Sequence, residues 1–457
     1  MPEIPLFAGA PEELRTEQAI TDQRAAVAVQ INEWISKIRE AAGIQPLLAV
    51  GNAVLQERRS GRSVVQFTED QDALVVTDRV VVPADQFEAA RDAVSGAGAV
   101  EEIPTPGLVG IRVLKCADIG RAKAEGTGLE GLSAEELPGE PIHLVPMGGI
   151  RKAEGGPELS GPADGERLWT RREPAAGPHG PRVAVLDTGI TSEERADGWL
   201  TGLVTDENED LLDVYDPIGR LDLGAGHGTF VTGVIQQVAP DADITVVKVL
   251  DSDGLGDEVA IAAAIVQAAT NGAQIINLSL GTTTADGTPP LVLLSAMRSA
   301  IAIREDILFV CAAGNFGDTR ACWPGAFSGM AEFQENVVSV AGLRLDDTAA
   351  GQYVGAEWSS HGDWVTCSTP AQGVVSTYVE GEEMDQPAPL RRDKFGKAAW
   401  ATWTGTSFAA PQIVGAIVWT MQQDGWQGTP MRAFRQVMAD GAEVVPGYGT
   451  SISVLPV

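Results

Sequence analysis

An alternation that begins at Arg182 constrains this chain more than any other feature. Short, nearly uninterrupted apolar runs occur at Val183–Leu186, Thr245–Leu250, Gln274–Leu280, Ile307–Ala313 and Val337–Leu343. Helical stretches such as Glu258–Thr270 and Leu291–Arg304 separate them. A strand that faces solvent on one side alternates apolar and polar residues; a strand apolar on both sides must be covered on both faces. The pattern therefore predicts an α/β fold with a parallel sheet flanked by helices on both faces, joined by right-handed crossovers. With 457 residues, 44% of them hydrophobic, the chain can bury such a core and has length left over for further units.

The remaining length lies upstream. Residues 1–63 read as a helical extension and connector, with an amphipathic helix over 12–42 that places Val27, Ile31, Trp34, Ile35 and Ile38 on one face. Residues 64–148 read as a compact β-α-β-β-α-β unit of the small α+β ferredoxin-like kind. Its elements are expected at Asp72–Val82, Pro83–Ser95, Ala99–Ile103, Val109–Leu114, Ala117–Lys123 and Ile142–Pro146. Residues 149–180 are rich in Gly, Pro and charge and read as a linker. Residues 181–457 form the α/β unit.

Composition narrows the function classes. A net charge of −31 sets up a field that repels phosphate backbones, so nucleic acid is not an expected partner. No run of 18 apolar residues predicts a membrane span, and Met1–Arg15 lack the basic-then-apolar pattern of a signal peptide, which makes the cytoplasm the expected location. Cys116, Cys311, Cys322 and Cys367 fit no zinc spacing; they read as buried thiols, with a Cys311–Cys322 bridge as the alternative. No His-Glu-x-x-His arrangement is present, and His143, His179 and His361 read as structural or solvated. Asp251-Ser-Asp253-Gly254 reads as a turn, because the later Glu of a calcium loop is missing.

Four segments carry chemistry. The strand Val183–Leu186 ends in Asp187-Thr-Gly; Gly226-His227-Gly-Thr opens a helix of small residues; Gly405-Thr-Ser407-Phe-Ala-Ala-Pro411 places a serine at a helix start; and Ala312-Ala313-Gly314-Asn315 closes another strand. A serine hydroxyl needs a base within reach, and the base needs an orienting acid. Asp187 suits the acid, His227 the base and Ser407 the nucleophile. The Asn315 amide and the Ser407 backbone N–H suit the developing oxyanion. Asp187 and Asn315 both fall at carboxyl ends of expected parallel strands, where open α/β sheets place their sites.

Taken in chain order with Ser279-Leu280-Gly281 between the His227 and Asn315 segments and the Ser407 segment last, these motifs resemble the subtilisin-like serine proteases over about residues 180–445. The resemblance implies a serine endopeptidase that binds a peptide or protein as an added extended strand along Ser279, Leu280 and Gly281. Ala312, Ala313 and Gly314 would form the opposite pocket wall, and Trp323-Pro324-Gly325-Ala326 the far rim. No acidic residue stands in these walls, which favours an apolar or aromatic side chain before the scissile bond. The reaction needs no cofactor; some relatives carry structural calcium, for which no ligand set is legible here. The 64–148 unit resembles the family's propeptide, an intramolecular inhibitor whose last strand leads into the cleft, with self-cleavage within 147–180; a retained regulatory module is the alternative. Two rival functions remain: a non-catalytic binding protein on a protease scaffold, and a sedolisin-type acid peptidase, which would need a glutamate where His227 stands.

Overall fold

A computed structural model describes residues 65–66, 74–148 except 130, 161–163 and 180–455, apart from positions 204, 206, 215–218, 285, 346–351, 384–392, 424–426 and 440–442. The helix expected over 12–42 lies outside the described residues.

The upstream unit contains β1 (Leu74–Pro83), α1 (Phe87–Val94), β2 (Glu101–Ile103), β3 (Ile111–Lys115), α2 (Ile119–Glu125) and β4 (Glu140–Pro146). They follow the β-α-β-β-α-β order, and the strands pair antiparallel as β2-β3-β1-β4. Strand alternation gives this sheet two buried faces. Val80, Val82 and Leu114 join Phe87, Ala90, Val94 and Ile119 in a core local to the unit. Val81, Val113, Ile142 and Leu144 point the other way, into the main core shared with the rest of the chain.

The α/β unit begins with β5 (Arg182–Asp187), α3 (His227–Val238) and β6 (Asp243–Lys248). A short strand β7 (Leu255–Asp257) leads into α4 (Glu258–Thr270), β8 (Ile275–Leu278), α5 (Leu291–Ile303) and β9 (Leu308–Ala312). Then come β10 (Val337–Leu345), β11 (Cys367–Pro370), β12 (Trp400–Trp403), α6 (Ala410–Met421) and β13 (Gly449–Ser451). Among the described residues the main sheet has nine strands, with β6-β5-β8-β9-β10-β11-β13 running parallel through its body. The path steps one way from β5 to β6, then crosses back to β8 and onward. Right-handed crossovers therefore put α3 on one face and α4 and α5 on the other. The reversal leaves a crevice beyond the carboxyl ends of β5 and β8.

β7 is not part of that sheet. It pairs antiparallel with β4 (Leu144 with Asp257, Val145 with Gly256, Pro146 with Leu255) and so completes the upstream unit's sheet with a strand from the α/β unit. Among the described residues, two buried side-chain contacts flank this join. Arg79 Nη1 donates to Asp257 Oδ2 at 3.1 Å, while Asp257 Oδ1 caps α4 through the N–H groups of Val259 and Ala260. Glu258 Oε2 accepts from the His143 N–H at 2.9 Å and lies 3.1 Å from His143 Nδ1. His143 is thus a structural contact of this join.

The segment read as a linker holds one described strand. Gly161–Ala163 pairs antiparallel with β12 at the edge of a three-stranded sheet. Edge pairing uses main-chain groups and tolerates Pro162, so no side-chain pattern announced it. Among the described residues, no helix is long and apolar enough to cross a membrane.

Candidate active site

Asp187 is the last residue of β5, and its Oδ1 lies 2.6 Å from His227 Nδ1, with both side chains fully buried. The same oxygen accepts the Thr188 N–H at 2.7 Å. His227 is the first residue of α3, and the helix start lies tightly against the turn after Asp187. A Cβ on Gly228 would come within 2.1 Å of the Gly189 carbonyl, so only glycine allows this approach.

A residue not anticipated from the sequence locks the pair together. Asp210 Oδ2 accepts from Thr188 Oγ1 at 2.9 Å and from the Gly226 N–H at 2.8 Å, and Thr188 Oγ1 in turn accepts the Gly228 N–H at 3.0 Å. One carboxyl thereby ties the turn after Asp187 to the start of the helix that carries His227. Burial pushes its pKa up, opposed by these hydrogen bonds. No local pattern signals it, because its partners lie far apart in the sequence.

Ser407 sits in a 3-10 turn, Thr406–Phe408, just before α6, rather than in the first turn of the α-helix itself. Asn315 follows β9, and its orientation is set by Thr406. Asn315 Oδ1 accepts from the Thr406 N–H at 3.0 Å and from Thr406 Oγ1 at 2.9 Å. The Nδ2 group is therefore turned the other way, where it donates to the carbonyl of Gly148; the Ser407 N–H donates to the same oxygen at 3.0 Å. Two donors converge on one carbonyl of the upstream unit.

Residues 144–148 lie between two strands of the α/β unit. On one side β7 pairs with β4, and the Met147 N–H continues the ladder to the Gly254 carbonyl at 2.7 Å. On the other, the Gly148 N–H donates to the Ser279 carbonyl at 2.9 Å and the Gly281 N–H to the Pro146 carbonyl at 3.0 Å, with Met147 opposite Leu280. The turn Asp251–Gly254, read from the sequence only as a turn, is thus also one wall of the cleft. Among the wall residues expected from the sequence, Ser279 and Gly281 hold the strand through their backbones. Ala312 faces Gly148. The Leu280 side chain points into the main core, and Ala313 packs with Ala341, Leu343, Tyr353 and Tyr448 in a small core of its own, because strand alternation sends Ala312 and Ala313 to opposite sides.

The Ser407 hydroxyl donates to the Ser279 carbonyl at 2.8 Å, not to His227. The buried His227 Nε2 has no hydrogen-bond partner among the described residues. All four cysteines are free and buried; burial pushes the Cys311, Cys322 and Cys367 thiols far up in pKa, so they stay neutral, and no Cys311–Cys322 bridge forms.

The subtilase family (Peptidase S8) matches residues 178–450. Thermitase from Thermoactinomyces vulgaris is 28% identical over 283 residues, covering 59% of this chain and 84% of thermitase. An intracellular serine protease from Paenibacillus polymyxa is 29% identical over 257 residues, 52% of this chain and 65% of that protein. The crystal structure of fervidolysin from Fervidobacterium pennivorans, a keratinolytic enzyme related to subtilisin, shares the fold with a TM-score of 0.52 at 18% identity, covering 86% of this chain and 62% of that one.

Proposed function

This chain belongs to the subtilase family of serine peptidases, and from that premise we propose that it is an endopeptidase whose triad is Asp187, His227 and Ser407. In this reading Asp187 holds the His227 tautomer that presents a bare Nε2, and stabilises the imidazolium once it forms. His227 removes the Ser407 proton as Oγ attacks the substrate carbonyl carbon. The negative charge that develops on the carbonyl oxygen is met by the Asn315 amide and the Ser407 N–H. His227 then protonates the leaving amine, and water repeats the sequence in reverse to release the acyl group. The chemistry needs no cofactor. The substrate is a peptide or protein segment bound as an extended strand between residues 254–257 and 279–281.

One observation carries the reading most. The chain's own residues 144–148 occupy the cleft in the pose of a substrate, with the Gly148 carbonyl in the hole formed by Asn315 and Ser407. We therefore take residues 64–148 as an inhibitory propeptide and the Gly148–Gly149 bond as the site of self-cleavage, a sharper position than the 147–180 span expected from the sequence. Before cleavage two features support latency: the cleft is filled, and the Ser407 hydroxyl is directed to Ser279 rather than to the base. The free thiols and the similarity to an intracellular protease support the cytoplasm as the working compartment.

A fluorophosphonate probe, which labels only an activated serine, tests this mechanism. Labelling is expected at Ser407, to rise after the N-terminal fragment is lost and to fall sharply in Asp187→Asn. Equal labelling of Ser407→Ala would contradict the assignment of the nucleophile.

A further inference from the structure

The geometry points to a specificity rule: the pocket before the scissile bond is closed by the Cys322 thiol, so that the enzyme cuts after glycine. This deepens the peptidase reading above and rests on it.

The residue whose carbonyl lies in the hole is a glycine, and its surroundings leave almost no space for a side chain. A Cβ at Gly148 would lie 2.7 Å from Ser407 Oγ and 3.2 Å from the Ala312 methyl. The hydroxyl could swing toward His227 and admit a methyl group. Beyond a methyl the way is blocked. Gly281 stands on one wall and Gly314 on the other, and a Cβ on either would meet Cys322 Sγ at 2.6 Å. The sulfur is therefore wedged between the walls, in the slot a longer side chain would enter.

Two further facts support a filled slot. Cys322 cannot drift away, because its neighbour Trp323 is paired with Thr282 through N–H to carbonyl bonds of 2.7 and 2.8 Å in both directions. A glycine also covers nothing in front of it, so an open pocket behind Gly148 would leave its lining wet. Instead Ala312 and Cys322 are both 0% exposed. The absence of acidic wall residues, taken alone, favours an apolar or aromatic side chain at this position. The walls are apolar as expected, but the thiol between them takes the volume that such a side chain requires.

The test uses the full-length chain and follows its self-cleavage by intact mass. Gly148→Ala should slow the reaction by about 10-fold and Gly148→Phe by at least about 100-fold, the scale of overpacking a closed pocket. Adding Cys322→Gly to Gly148→Phe should restore at least about 10-fold. Should a position-148 variant misfold, quenched peptides Leu-Val-Pro-Met-X-Gly-Ile with X as Gly or Phe give the same ratio on self-processed wild type and Cys322→Gly. Gly148→Phe cleaved within about threefold of wild type overturns the glycine rule. An unchanged Phe-to-Gly ratio in Cys322→Gly overturns the role of the thiol. If wild type and every variant stay intact and no peptide is cut, the peptidase reading itself fails, and this inference with it.

Discussion

The proposed catalytic groups and the strand that fills the cleft beside them are held by different means. Side chains fix most of these groups: His227 is held by Asp187, both their segments by Asp210 through Thr188 and Gly226, and Asn315 by Thr406, whereas the Ser407 hydroxyl rests on the Ser279 backbone carbonyl. The strand 144–148 is held by main-chain ladders on both edges, with the carboxylate contacts of Arg79 and His143 further back. Side-chain lattices give precision at fixed identities, and a catalytic group displaced by an ångström loses rate steeply. Main-chain ladders accept many sequences, which suits a site that must take in varied peptides. Gly148 is where the two modes meet, because there the backbone of the occupant accepts from the Ser407 N–H.

Breaking the side-chain lattice should have the largest effects. Asp187→Asn leaves the fold intact but lets His227 take the wrong tautomer, and should lower peptide turnover by about 10⁴. Asn315→Ala removes one of the two donors at the Gly148 carbonyl and should cost about 10²–10³ in turnover, with little change in KM. Both are read from initial rates on a quenched peptide.

The occupant side should respond in affinity rather than turnover. Arg79→Met leaves Asp257 without its buried cationic partner, a loss of about 2–5 kcal/mol. Inhibition of the processed enzyme by an added 64–148 fragment carrying this change should weaken by at least about 30-fold. Inhibition equal to that by the wild-type fragment would mean that this contact does not help to hold the strand in the cleft. The smallest effect is expected at Asp210→Ala, which strands the Thr188 hydroxyl and the Gly226 N–H without their acceptor. It should destabilise the protein by about 1–3 kcal/mol in denaturant melts, with a loss of about 10-fold in kcat; a melt unchanged from wild type would remove Asp210 from the lattice.

Local pattern made much of this legible in the sequence. The apolar runs mark the parallel strands, and α4 spans Glu258–Thr270 as expected. Asp187, His227, Ser407 and Asn315 stand out because each sits in a short, chemically unusual segment at an element boundary. What escaped depends on contacts across distance. Asp210 is one acidic residue in an acidic tract until Gly226 and Thr188 are brought to it. Leu255–Asp257 is too short and too polar at its end to read as a strand, and becomes one only when β4 arrives. Cys322 is an ordinary buried thiol until Gly281 and Gly314 close on either side of it.

The most direct test of the account is intact mass of full-length wild type and Ser407→Ala, purified side by side and followed over time. The account predicts that wild type alone separates into a fragment ending at Gly148 and a protein beginning at Gly149, while Ser407→Ala stays whole. Cleavage of Ser407→Ala at the wild-type rate, a wild-type cut elsewhere, or a wild type that stays whole would contradict it.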